Sequence, residues 1–188
     1  EPASSDRSGA SMEILTRVAT ALNASIELEQ ALDATLDALA QSLALETGWI
    51  WLLDDQGEFY LAASHTLPEG LEERASWWRG GCACQNAFIE DALSTGCNYD
   101  PVTCSRLSGL SDASARGVRF HASFPIRADG ESLGILNLAR AGWERFDAEQ
   151  IELVEAISQL LGMAVRRTQL YEKSALLGAL DERQRLPR

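Results

Sequence analysis

Phe124-Pro125-Ile126-Arg127-Ala128-Asp129-Gly130-Glu131-Ser132-Leu133-Gly134-Ile135-Leu136-Asn137-Leu138 is the stretch that decides the fold. Two β-favouring apolar runs flank Ala128-Asp129-Gly130-Glu131, and an Asp-Gly pair between such runs is the short-range signature of a hairpin. Strands are predicted over 118–126 and 133–138.

Upstream, Trp49-Ile50-Trp51-Leu52-Leu53 combines aromatic and branched residues, as a buried strand does. Asp54-Asp55-Gln56-Gly57 turns the chain, and residues 58–63 return beside it. Two helices come before this hairpin. Met12 to Leu22 places Ile14, Leu15, Val18 and Leu22 on one face. Leu28 to Leu45 repeats leucine at steps of three and four, with Ser25 as N-cap and Gly48 as breaker. Residues 64–81 are looser, and Asn86 to Leu93 forms a short helix ended by Gly96. Residues 108–117 are rich in Ser, Gly and Asp and read as a surface loop.

Downstream, Phe146-Asp147-Ala148-Glu149 opens a long helix with Asp147 as N-cap and Glu149 and Gln150 in its first turn. Ile151, Val154, Ile157, Leu161 and Val165 form its buried face, and no stop occurs before Pro187. Met163, Leu170 and Leu177 are spaced by seven, and Leu180 adds a partner position. That is a short coiled-coil pattern. A single amphipathic helix packed on its own domain is the alternative.

This order of elements resembles a GAF domain over Glu27 to Tyr171, most closely in Phe124-Pro125-Ile126, the Asp129-Gly130 turn, Leu133 to Leu138 and the Phe146 to Leu153 helix start. The resemblance implies an α+β fold: a central antiparallel sheet flanked by helices, with N- and C-terminal helices forming a dimeric bundle or coiled coil. Leu180-Asp181-Glu182-Arg183-Gln184-Arg185-Leu186 resembles the run before the phosphoacceptor histidine in kinases of the nitrate-sensor (NarX-like) class. The expected organisation is a disordered leader or cloning remnant at 1–11 and an N-terminal linker helix at 12–26. A sensory domain at 27–171 follows, then the start of a signalling and dimerisation helix at 172–188, ending before that histidine. The resemblance further implies a fragment without its own catalytic centre, from a histidine kinase. Its partners would be a second copy, through the terminal helices, and a cognate response regulator, through the kinase region.

Composition narrows the partners. Among 188 residues, 28 acidic against 16 basic side chains give a net charge of −12, and Lys173 is the single lysine. Such a field repels a phosphate backbone, so direct nucleic-acid binding is not expected. No apolar run approaches the roughly 18 residues of a membrane span, and the start shows no signal pattern, so a cytoplasmic, membrane-free protein is expected.

Cys82, Cys84, Cys97 and Cys104 are the only cysteines, gathered in one window. A disulfide framework suits small secreted domains that lack a core, which this chain has. On an extended segment Cys82 and Cys84 point to one side, presenting two thiolates to one centre. The turns at Ser94-Thr95-Gly96 and Asp100-Pro101 would return Cys97 and Cys104 to them. Four thiolates bind zinc or ligate an iron–sulfur cluster. Structural zinc uses two tight Cys pairs, whereas only one occurs here. Spacing leaves cluster, zinc and free thiols open. The resemblance to sensor kinases, which use cysteine-bound clusters as oxygen or redox sensors, implies such a cluster, [4Fe-4S] favoured and [2Fe-2S] second, with zinc or free or disulfide-forming thiols as alternatives. Trp77, Trp78 and Phe88 would screen it from solvent, Gly80-Gly81 would let backbone amides approach sulfur, and Arg79 and Arg106 would offset its charge. The remaining nitrogen donors, His65 and His121, lack a paired ligand motif and are read as structural. A small-molecule-binding signalling module with structural zinc or redox-active thiols is the competing function.

Overall fold

The computed structural model describes residues 4–25, 27–68, 82–99, 117–142 and 144–185. Helices α1 (Ser4–Ala24) and α2 (Leu28–Leu43) precede strands β1 (Thr47–Leu53) and β2 (Phe59–His65). Helix α3 (Ala83–Ile89) and strand β3 (Cys97–Tyr99) follow. The chain then forms β4 (Val118–Ala128), β5 (Glu131–Ala141) and the long helix α4 (Ala148–Arg185). The strands make one antiparallel sheet in the order β2-β1-β5-β4-β3.

The decisive hairpin forms as its sequence dictates. Ala128 pairs with Glu131, and both residues of the connecting turn, Asp129 (φ 53°) and Gly130 (φ 78°), take the left-handed backbone that a two-residue hairpin with a type I′ turn requires. Strand alternation then sorts side chains to two faces. Ile50, Leu52, Ala122, Phe124, Ile126, Leu136 and Leu138 face one core with α1, α2 and α4. Trp49, Trp51, Val118, Ile135 and Ala139 face a second layer with Leu67, Phe88 and Leu93. Gly162 lets α4 lie directly on β4, because a Cβ there would stand 2.1 Å from the Arg127 carbonyl oxygen.

Asp147 caps α4 as expected. Its carboxylate accepts from the Gln150 amide at 2.8 Å, and the Gln150 side chain accepts from the Asp147 amide at 3.2 Å, a reciprocal capping box.

Four local expectations are corrected. Helix α1 begins at Ser4, not Met12, so the expected leader is largely helical; the apolar periodicity that marks this helix starts only at Ile14. The N-cap of α2 is Glu27, and Ser25 instead accepts the Glu27 amide at 3.1 Å in a turn ahead of the helix. That helix ends at Ala44 in a left-handed cap, before Gly48 is reached. Helix α3 starts at Ala83, three residues before Asn86, so the Cys82–Cys84 segment is a helix start and not an extended strand.

Candidate functional site

The second face of the sheet carries the polar chemistry. Cross-strand register aligns Trp49, Asn137, Ser123 and Cys97 in one row and Thr47, Ala139, His121 and Tyr99 in the next. Asn137, Ser123 and His121 are all fully buried here. The Ser123 hydroxyl donates to Asn137 Oδ1 at 2.7 Å. Among the described residues, Asn137 Nδ2 and both ring nitrogens of His121 meet no hydrogen-bond partner. His121 lies stacked on Tyr99 (5.4 Å between centroids, 16° between planes) and tilted against Trp49 at 5.7 Å. Burial lowers its pKa to about 4, so the ring is neutral at neutral pH.

Helix α3 closes over this face, with Phe88 edge-on to Phe59 at 5.6 Å. Cys82, its N-cap, and Cys84, in its first turn, are both 3% exposed, and their sulfurs stand 3.0 Å apart. A helix start, not the extended segment expected, sets these two thiols side by side. A disulfide needs about 2.05 Å between sulfurs. Two thiolates on one tetrahedral metal, with bonds of about 2.3 Å, stand about 3.8 Å apart. The observed separation lies between, so a movement of about 1 Å either way reaches one state or the other.

Cys97 is brought to the same layer by β3, packed against its apolar residues. Burial pushes its thiol above the ordinary value, while the Tyr99 hydroxyl, donating to the sulfur, opposes that rise. Tyr99 is itself held well above the usual phenol range, chiefly by burial. The bond to Cys97 and the nearby charges of Cys97, Cys84 and Cys82 add to this. One phenol thus lies within electrostatic reach of all three thiols. Among the described residues, no three such ligands gather closely enough to hold a metal ion. Cys82 and Cys84 form a pair, and Cys97 stands off from it. Cys104 lies outside the described residues, as do Trp77, Trp78, Arg79, Gly80, Gly81, Arg106 and the Asp100-Pro101 turn.

His65 sits on the opposite, helix-bearing side, where its Nδ1 meets the Asp37 carboxylate at 2.7 Å. Tyr99, Ser123 and Asn137 were missed as site residues. Period-two alternation from Cys97 would have found Tyr99.

Residues 25–166 match the GAF domain family. The chain is 30% identical over 180 residues to the sensor histidine kinase YhcY of Bacillus subtilis, a match covering 93% of this chain and 47% of that protein. It is 23% identical over 180 residues to the Nif-specific regulatory protein of Azospirillum lipoferum, covering 92% of this chain and 28% of that one. The chain spans less than half the length of these relatives. Among solved structures, the GAF domain of a phosphoenolpyruvate-protein phosphotransferase from Coxiella burnetii superposes with a TM-score of 0.71 at 19% identity, covering 87% of this chain and 96% of that one. The chain belongs to the GAF domain family.

Proposed function

We propose that this GAF domain is the sensory input of a two-component histidine kinase of the nitrate-sensor (NarX-like) type. Cys82, Cys84, Cys97 and Cys104 would hold an iron–sulfur cluster that reports oxygen or redox state, [4Fe-4S] in preference to [2Fe-2S]. The observation that carries this is the buried Cys82–Cys84 pair, 3.0 Å between sulfurs, at the start of the helix whose Phe88 packs in the layer that also holds Cys97 and Tyr99. Soft, buried thiolates are the donors such a cluster takes, and the Tyr99 phenol beside Cys97 is of the kind that tunes ligand sulfur; Cys97 would have to close on the Cys82–Cys84 pair when a cluster binds. When bound, such a cluster supplies one-electron redox chemistry and sensitivity to oxygen. The chain's own residues exclude water through Trp49, Trp51 and Phe88, and burial keeps the neighbouring His121 ring uncharged.

Output leaves through α4. Met163, Leu170 and Leu177 are exposed along it at heptad spacing, which suits pairing with the same helix of a second copy. The parent protein would carry the kinase region beyond this segment, and a cognate response regulator would be its separate partner. A cytoplasmic site of action follows from that role. No described helix is long and apolar enough to cross a membrane, and the net charge of −12 disfavours direct nucleic-acid binding.

Replacing each cysteine singly by serine and reconstituting with iron and sulfide under anaerobic conditions tests the ligand set. All four variants should lose most of the bound iron. Full retention by two or more of them would refute four-cysteine ligation.

A second reading has its own support. Among the described residues, Asn137 Nδ2 and both His121 nitrogens are buried without partners on this face, as a module binding a small polar ligand would leave them, with the cysteines as zinc ligands or redox-active thiols. Ligand-dependent thermal stabilisation surviving replacement of all four cysteines would favour it.

A further inference from the structure

Strand β3 has two sides with different attachments. Cys97 and Tyr99 face the thiol layer, opposite Ser123 and His121. The alternate positions, Gly96 and Asn98, are fastened to the start of α4. The Gly96 amide donates to Glu155 Oε1 at 2.6 Å. The Asn98 side chain grips the Phe146 backbone twice, donating to its carbonyl at 3.0 Å and accepting from its amide at 3.1 Å. Phe146 is in turn fixed edge-on to Phe124 at 6.4 Å and beneath the Arg140 guanidinium at 4.5 Å. Nor is there slack at Gly96, where a Cβ would lie 2.4 Å from the Phe124 ring and 3.2 Å from Ile151 of α4.

We infer that β3 is a coupling strand, and that Asn98 and Glu155 are positioning residues that transmit displacement of the cysteine segment to the first turns of α4. A strand of three residues bonded on one side to the thiol layer and on the other to α4 cannot shift without moving both. The inference rests on reading the cysteine segment as the input, but it requires no particular occupant of the thiols.

Coupling of this kind is reciprocal, so loosening the α4 side must alter Cys97. The test is the iodoacetamide alkylation rate of each cysteine, resolved by mass spectrometry, in wild type, Asn98→Ala, Glu155→Ala and Glu155→Gln. Cys97 should react roughly tenfold faster in Asn98→Ala and Glu155→Ala, the factor expected when a charge-assisted or bidentate contact holding a local segment is lost. The conservative Glu155→Gln, which keeps an acceptor and the fold, should fall between. Cys82 and Cys84 should be unchanged. In the forward direction, alkylating Cys97 should change hydrogen exchange across residues 148–158 in wild type and not in Asn98→Ala. Unchanged Cys97 rates, a uniform rise at Cys82, Cys84 and Cys97, or exchange in α4 that ignores alkylation would overturn the inference. A protein that binds no iron yet shows these effects would remove the cluster and leave the coupling standing.

Discussion

Replacing Gly162 by alanine and Gly178 by alanine, two identical changes on one helix, should act in opposite directions. Helix propensity alone favours alanine over glycine by about 1 kcal/mol at either position. At Gly178 a new Cβ meets nothing within 4 Å, so only propensity acts. Helicity should rise, with the unfolding midpoint unchanged or slightly higher. At Gly162 the Cβ would sit 2.1 Å from the Arg127 carbonyl oxygen and 2.7 Å from its carbon. Contact needs more than 3 Å, and the obstacle is strand backbone with no rotamer to change. Helix α4 must therefore back away from β4 by about 1 Å, opening the layer around Ile157 and Leu161, both fully buried. Overpacking of this kind costs about 1–3 kcal/mol, and loosening the layer beside it adds to that, so it outweighs the propensity gain. The net expectation is a loss of about 2 kcal/mol, or about 4–8 °C in Tm for a chain of this size. Urea unfolding followed by circular dichroism measures both variants. A Gly162→Ala protein as stable as wild type would refute the docking of α4 on β4.

Other expectations follow from single groups. Asp147→Ala removes the capping box of α4 and should cost about 1 kcal/mol in urea unfolding. His121 has a folded pKa of about 4 against 6.5 unfolded, so the unfolded chain takes up its proton first as pH falls. As pH falls from about 6 to 4, stability should drop by roughly 1 kcal/mol per pH unit from this group; His121→Phe should show a correspondingly flatter profile in that window. Tyr99→Phe removes the contact that opposes the rise of the Cys97 thiol. Less thiolate should then be present at neutral pH, and Cys97 should react severalfold more slowly with a small alkylating reagent.

How much could be read beforehand depends on the range of each signal. The β4–β5 hairpin and the α4 capping box were legible because each is specified within a few neighbouring residues: Asp129-Gly130 by its turn chemistry, and Asp147 with Gln150 by spacing. The pairing of Cys82 with Cys84 was legible as proximity, but not its cause. Cys-X-Cys spacing is equally compatible with a strand or a helix start, and apolar periodicity in Asn86 to Leu93 placed the helix three residues late. The early start of α1 was hidden because residues 4–11 carry no apolar repeat. The buried polar row of His121, Ser123 and Asn137 was illegible for another reason. Within β4 and β5 these residues look like ordinary alternation, and only cross-strand register aligns them with Cys97 and Tyr99. Likewise Asn98 and Glu155 meet segments 48 and 59 residues distant, which no local pattern announces.

Metal and sulfide analysis of protein purified without air, read with its visible absorption spectrum, tests most directly the proposal that Cys82, Cys84, Cys97 and Cys104 hold an iron–sulfur cluster. A coloured protein containing iron and acid-labile sulfide in similar amounts, bleaching on exposure to air, with no stoichiometric zinc, is the expected result. A colourless protein that carries zinc, or no metal at all even after anaerobic reconstitution, would contradict it.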